Sequence, residues 1–274
     1  MKINVLQDGE GDLDGFEPLS ARETILQVLE SRPGEERTAA EIARAAGALE
    51  IAAPTVRMAL SRLAAEGEIL APRRGVYELG KRRSAAQALW REWRTAESRL
   101  TDWAGGWRVI LTNGVKSSNS KAFRNHERAL RLFGFKEAEH GLWARADNIS
   151  DAPDAMLSLM REAGLNQGAR LLVTTFADPE SDRRFREMHD PVALAVAYER
   201  GAKFLDREMK KLTSRSRAEA LIAAFHIGRA AIRAVAYDPL LPEELVDTQK
   251  RARVFAAARD YVEAGHEVWR AIDL

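Results

Sequence analysis

Between Thr55 and Leu79 the apolar positions change period, and the change predicts a helix followed by a hairpin. Val56, Leu60 and Leu63 recur at helical spacing with Ala59 beside them, which puts them on one face. Thr55, Arg57, Met58, Ser61 and Arg62 fall elsewhere on the helix. Gly67 stops it, because a residue without a side chain tolerates the left-handed conformation that ends helices. Ile69 and Leu70 then begin a strand, Pro72-Arg73-Arg74-Gly75 turns the chain, and Val76 to Leu79 return.

Two shorter helices are predicted upstream, each opened by a capping box. Ser20-Ala21-Arg22-Glu23 and Thr38-Ala39-Ala40-Glu41 place a hydroxyl at the cap and a carboxylate three residues on. Ile25, Val28 and Leu29 form the buried face of the first; Ile42, Ala43 and Ala46 form that of the second. Gly47 ends the second helix, and Pro54 suits the first turn of the third.

Farther along, Ala86, Leu89, Trp93, Ala96, Leu100 and Trp103 recur every three or four residues and predict an amphipathic connector helix. Trp107 to Thr112 reads as a strand, Lys121 to Phe133 as a helix with Phe123, Leu130 and Phe133 inward, and Glu137 to Arg145 as a second strand. Pro153 to Ala163 is a helix with Met156, Leu157 and Met160 apolar, and Ala169 to Phe176 is a third strand. Long helices follow near 191–212, 217–236 and 247–271, with Asp238-Pro239-Leu240-Leu241-Pro242 as the breaker before the last. The expected fold is α+β and mainly helical. It comprises an acidic tail (1–18), a winged helix-turn-helix (19–83), a connector helix (84–104), a ferredoxin-like α/β domain (105–178) and a helical C-terminal domain (179–274).

Composition changes this picture in three places. No run of about twenty apolar residues exists, so no membrane partner is expected. The absence of cysteine excludes disulfides and thiolate metal sites and, with no signal-peptide pattern at the N-terminus, fits a cytoplasmic protein. The net charge is only +1, yet 53–83 carries seven Lys or Arg against three Glu. A basic segment built as a helix plus a basic-tipped hairpin makes double-stranded DNA the first partner to consider. Thr55, Arg57, Met58, Ser61 and Arg62 would meet base edges, and Arg73 and Arg74 would meet phosphates or the minor groove. The alternative is an ordinary helix and hairpin with a solvated charged face.

Other chemistry is thin. The five histidines (126, 140, 189, 226, 266) show no metal-ligand spacing, and no phosphate loop or nucleophile elbow occurs, so no metal, cofactor or enzymatic activity is expected. Arg124, Arg128 and Arg131 share a helix face that reads as solvated. The polar loop Lys116–Lys121 could offer backbone donors to a phosphate. Lys210, Lys211, Arg215 and Arg217 could meet the phosphates of an acidic effector, or form a plain charged helix end.

Taken in order, VRMALSRLAAEGEI, WAGGWRVIL, RALRLFGFKEAEHGLWAR, DPVALAVAYERGAKFL and YDPLLPEEL resemble the PaaX family of transcriptional regulators over about Leu19 to Trp269. The resemblance implies homodimers that bind inverted-repeat operators, repress genes such as those of phenylacetate catabolism, and leave DNA on binding an aryl-CoA thioester. The middle segment also resembles a small CRISPR-associated endonuclease that uses an aspartate at the end of its first strand. Thr112-Asn113-Gly114 stands at that end here, without a carboxylate. Two alternatives to the regulator stay open: a nucleic-acid-processing enzyme using the middle domain, and an adaptor that binds proteins through the helix and hairpin.

Overall fold

The computed structural model describes residues 18–32, 34–80, 92–112 and 121–273. Helix and strand are mixed, helix predominates, and the named strands form two antiparallel sheets, of three and four strands. The chain divides into two compact units. One comprises Met1–Arg83, Arg200–Ile232 and Val254–Leu274; the other comprises Ser84–Glu199 and Arg233–Arg253. The C-terminal segment expected as one helical domain is therefore shared between them.

The first unit opens with α1 (Ala21–Glu30), β1 (Arg37–Thr38), α2 (Ala39–Gly47), α3 (Ala53–Ala65), β2 (Ile69–Arg73) and β3 (Val76–Leu79). Both capping boxes form. The Ser20 hydroxyl accepts from the Glu23 N–H at 3.2 Å and the Glu23 carboxylate from the Ser20 N–H at 3.0 Å. Thr38 and Glu41 do the same at 3.2 and 2.6 Å. Ile25, Val28 and Leu29 are buried as expected, and so are Val56, Leu60 and Leu63. In α2 the buried set is Ile42, Ala45 and Ala46, whereas Ala43 is only half-buried. Positions i, i+3 and i+4 share a face, and Ala43 lies about 100° around from Ile42. Gly47 ends α2 without a left-handed backbone; the reversal comes three residues later, at Glu50 with φ 59°.

The helix α3 starts two residues before Thr55, with Pro54 in its first turn. Gly67 takes φ 72°, the conformation that only glycine adopts freely. The hairpin is tighter than expected. β2 continues through Pro72 and Arg73, leaving Arg74-Gly75 as the turn, and a register shift lies between Leu70 and Arg73. Proline has no N–H for a ladder, and such irregularities are where it is tolerated. β1, too short to carry a period, pairs with β3 to give the sheet order β1–β3–β2. Gly80 closes the hairpin, donating to the Glu68 carbonyl at 2.8 Å. A Cβ there would stand 2.3 Å from the Gly67 carbonyl oxygen. The unit's parts of the helices Pro191–Leu212, Arg217–Ala236 and Thr248–Arg270 bury Phe204, Phe225, Phe255 and Tyr261. Arg270 donates to the Ser31 carbonyl and Arg32 to the Arg270 carbonyl, both at 3.0 Å, tying the last helix to the end of α1.

The second unit runs β4 (Trp107–Leu111), α4 (Lys121–Leu132), β5 (Lys136–Glu139), β6 (Leu142–Ala146), α5 (Pro153–Glu162), β7 (Arg170–Thr174) and α6 (Pro179–Glu187). Its sheet order is β5–β6–β4–β7, every neighbour antiparallel. The single strand expected over 137–145 is a hairpin, because Gly141 at φ 78° lets the chain fold back. Strand alternation splits the core. Ile110 and Trp143 join Leu130, Phe133, Met156 and Met160 on one side, while Trp107, Val109, Ala144 and Ala146 meet Phe185 of α6 on the other. α6 was not expected. Asp178 caps it and Pro179 opens it, but Phe185 is its one buried side chain, so no apolar period announces it. The connector is not an α-helix where described: Glu92–Arg99 is 3₁₀, and Leu100 bridges to Ile149. Residues 81–91 and 113–120 lie outside the described residues, and with them Lys81-Arg82-Arg83, Asn113-Gly114 and most of the 116–121 loop.

Thr38→Ala removes a cap and is expected to cost about 1 kcal/mol in a urea titration. Burial, aided by the charge of Lys136, holds the His189 imidazole down at about 4. The unfolded chain takes up that proton below about pH 6.5. Stability is therefore intact above that pH and is lost as the pH falls towards 4. His189→Gln should lose less of its urea midpoint than the parent between about pH 7 and about pH 4.5.

Candidate nucleic-acid interface

The two faces of α3 are sharply unlike. Val56, Leu60 and Leu63 are at most 2% exposed, while Met58 is 74% exposed. Thr55, Arg57, Ser61 and Arg62 are exposed beside Met58, and Arg73 and Arg74 are exposed at the end of the hairpin. All seven residues named from the sequence thus lie in solvent on α3 and its hairpin.

Their charges are not equivalent. Arg62 donates to Glu66 at 2.8 Å, and Glu66 also accepts from Arg22 at 3.0 Å. The Arg62 hydrogen bond, more than the one from Arg22, holds the Glu66 carboxyl below its ordinary range. Arg73 pairs with Glu36 at 2.7 Å. The side chains of Arg57 and Arg74 make no hydrogen bond or ion pair among the described residues. An exposed pair is worth about 0–1 kcal/mol, so Arg62 and Arg73 can exchange their carboxylates for a phosphate at little cost. Arg57 and Arg74 have no such pair to give up among the described residues.

The second basic cluster is built differently. Glu208, whose side chain is fully buried, accepts from Arg215 at 2.5 Å and pairs with Lys211 at 3.2 Å and Arg207 at 3.4 Å. Burial alone would raise its pKa, but the hydrogen bonds from Arg215 and Lys211 outweigh that and lower it. Arg217 donates to the Ala271 carbonyl at 3.3 Å, and Lys210 is exposed. Of the four effector candidates, two clamp a buried carboxylate and a third holds a backbone carbonyl. The acid three residues before Lys211 was the sequence signal for this clamp.

A polar centre that sequence reasoning missed lies inside the second unit. Arg108 and Arg145 are direct cross-strand partners on the side of β4 and β6 that carries Ile110 and Trp143, at 4% and 3% exposure. Arg108 donates to Asp147 at 2.6 Å and to the Ile149 carbonyl at 3.0 Å. Arg99 pairs with Asp151. Arg145 reaches only neutral acceptors: Phe133 carbonyl at 2.6 Å, Ala146 carbonyl at 3.1 Å and the Asn148 side chain at 3.3 Å. Burial, with Arg108 and Arg99 close by, pushes its pKa down to about 9. Nearby, Tyr198 donates to the buried Asp238 at 2.6 Å, and Asn148 donates to the Leu240 carbonyl at 2.7 Å. Leu240 itself has φ 51°. Among the described residues no group of three or more His, Asp or Glu could hold a metal, and no helix is long and apolar enough to cross a membrane.

Removing the buried carboxylate strands its cations. Glu208→Ala is expected to destabilise the chain by about 3 kcal/mol, because Arg215 is left buried without a counter-charge. Lys210→Ala should be neutral within about 0.5 kcal/mol in the same denaturation experiment.

No protein-family model matches the chain, and no curated protein matches it. Among solved structures it is similar to the uncharacterized protein Rv0674 from Mycobacterium tuberculosis, with a TM-score of 0.63 and 22% identity. The match covers 93% of this chain and 99% of that one, and at such identity it concerns the fold alone.

Proposed function

We propose that the chain is a DNA-binding transcriptional regulator of the PaaX kind. In this reading it is a homodimeric repressor of catabolic genes on an inverted-repeat operator, released by an aryl-CoA or related acyl-CoA thioester. One observation carries the DNA-binding part. α3 keeps an outward face of Thr55, Arg57, Met58, Ser61 and Arg62 in solvent while its opposite face forms core. The order α1, β1, α2, α3, β2, β3, with β3 between β1 and β2, supports reading it as a winged helix-turn-helix. The order β4, α4, β5, β6, α5, β7, with β4 and β6 central, likewise supports a ferredoxin-like middle domain. The dimer and the thioester effector rest on the sequence resemblance.

In this reading α3 enters the major groove and the hairpin tip lies along the backbone. Arg57 is free to offer two donors to guanine O6 and N7, and Met58 to lie against a thymine methyl. Arg74 neutralises a phosphate, so its contribution is screened by salt.

The test is a footprint on the chain's own upstream region, with and without aryl-CoA esters, followed by titration of the protected site. Arg57→Ala should weaken that site by about 1–3 kcal/mol and relax its specificity. Arg74→Ala should weaken all sequences alike and reduce the salt slope by about 1. Both side chains are exposed, so unfolding midpoints should not move. Absence of protection anywhere upstream counts against the regulator reading, and protection indifferent to every CoA ester removes the effector alone.

A further inference from the structure

Beside Arg145 the second unit has a small cleft. Trp93, Ala96, Phe133 and Leu240 are among its walls, and Arg99 and Arg145 supply its charge. Arg99 is paired with Asp151 and Arg108 with Asp147, so those two carboxylates lie near Arg145 but neither pairs with it directly among the described residues. Like charges directly opposite on neighbouring strands repel, and a buried cation without a counter-charge is costly. A guanidinium carries five N–H groups. Arg145 spends one from each nitrogen on neutral oxygens, so its two terminal nitrogens each keep one N–H. Two is the number that a carboxylate takes from an arginine fork.

We propose that this cleft binds a small anion, the carboxylate of a short apolar acid, through Arg145, with Trp93, Phe133 and Leu240 around its tail. The free space is about 30 Å³. Since about 10–15 Å³ admits one water-sized group, the cleft suits a head of two oxygens and little more. The apolar walls favour an organic carboxylate over a fully hydrated inorganic ion. Burial, with Arg108 and Arg99 close by, lowers the basicity of Arg145 although Asp151 and Asp147 act against it. The wall is held against strain as well: a leucine at positive φ persists only where its surroundings over-determine it. Here Asn148 holds the Leu240 carbonyl and Asp238 holds its N–H at 2.8 Å. This site is independent of the DNA-binding reading and is tested without DNA.

The experiment titrates the full chain with sodium butyrate, sodium acetate or sodium chloride at matched ionic strength, following thermal unfolding and tryptophan fluorescence. Acetate is expected to give a saturable rise in Tm, butyrate, whose tail exceeds the free space, a weaker one and chloride none. Arg145→Gln should abolish the effect, but it also loses a carbonyl contact and is a risk to folding. Ala96→Val therefore serves as the second variant, because it narrows the cleft without touching an arginine. With far-UV circular dichroism unchanged, it should weaken acetate binding at least about tenfold, a difference of about 1.4 kcal/mol. Equal responses to acetate and chloride, no saturable response at all, or full acetate binding by a folded Ala96→Val chain would overturn the proposal.

Discussion

Arg57 and Met58 can stand in solvent on a fixed helix only because Val56, Leu60 and Leu63 of that helix are withdrawn from it almost completely. Each buried aliphatic side chain contributes roughly 1.5–3 kcal/mol, enough together to hold a thirteen-residue helix that alone would be marginal in water. Gly67 and the hairpin then fix where the basic tip lies along the same element. Without that anchoring face, the exposed arginines would be only charged residues on a fraying segment.

Buried charge is treated in opposite ways in the two units. Glu208 is surrounded by cations and its carboxyl is held ionised, so the helix-end cluster is internally closed. Arg145 donates to neutral oxygens and stands opposite Arg108, with Asp147 and Asp151 near it but paired with other arginines. Two of the residues that looked like an effector site from the sequence thus hold a buried carboxylate, while Arg145, which donates to neutral oxygens, sits in a strand that the sequence presented as ordinary sheet.

Much of the fold was legible because it depends on local chemistry. The capping boxes of Ser20 and Thr38, the α3 stripe and the long helices all follow from contacts within a few residues. Arg57 and Arg74 were legible as exposed for the same reason. What was not legible depends on the chain meeting itself at a distance. β1 has two residues and exists only because β3 pairs with it. The hairpin around Gly141 was hidden because its turn carries one glycine and neither a proline nor an Asn-Gly or Asp-Gly pair to mark it. α6 has one apolar contact and so no period. The cross-strand pairing of Arg108 with Arg145 is a matter of register, which neither WRVIL nor LWARA can state by itself.

The closeness of Gly67 and Gly80 bears on how sequence variation in this region is to be interpreted. One glycine supplies a left-handed backbone and the other makes room for its neighbour's carbonyl. Neither can contribute a side chain to any ligand. If the proposed DNA-binding reading holds, a scan of all single substitutions scored by DNA occupancy would rank both positions as intolerant as Arg57, since altering either displaces the hairpin from α3. Intolerance in this segment is therefore of two kinds, and only a parallel measure of folded protein separates positions that touch a partner from positions that keep the scaffold's geometry.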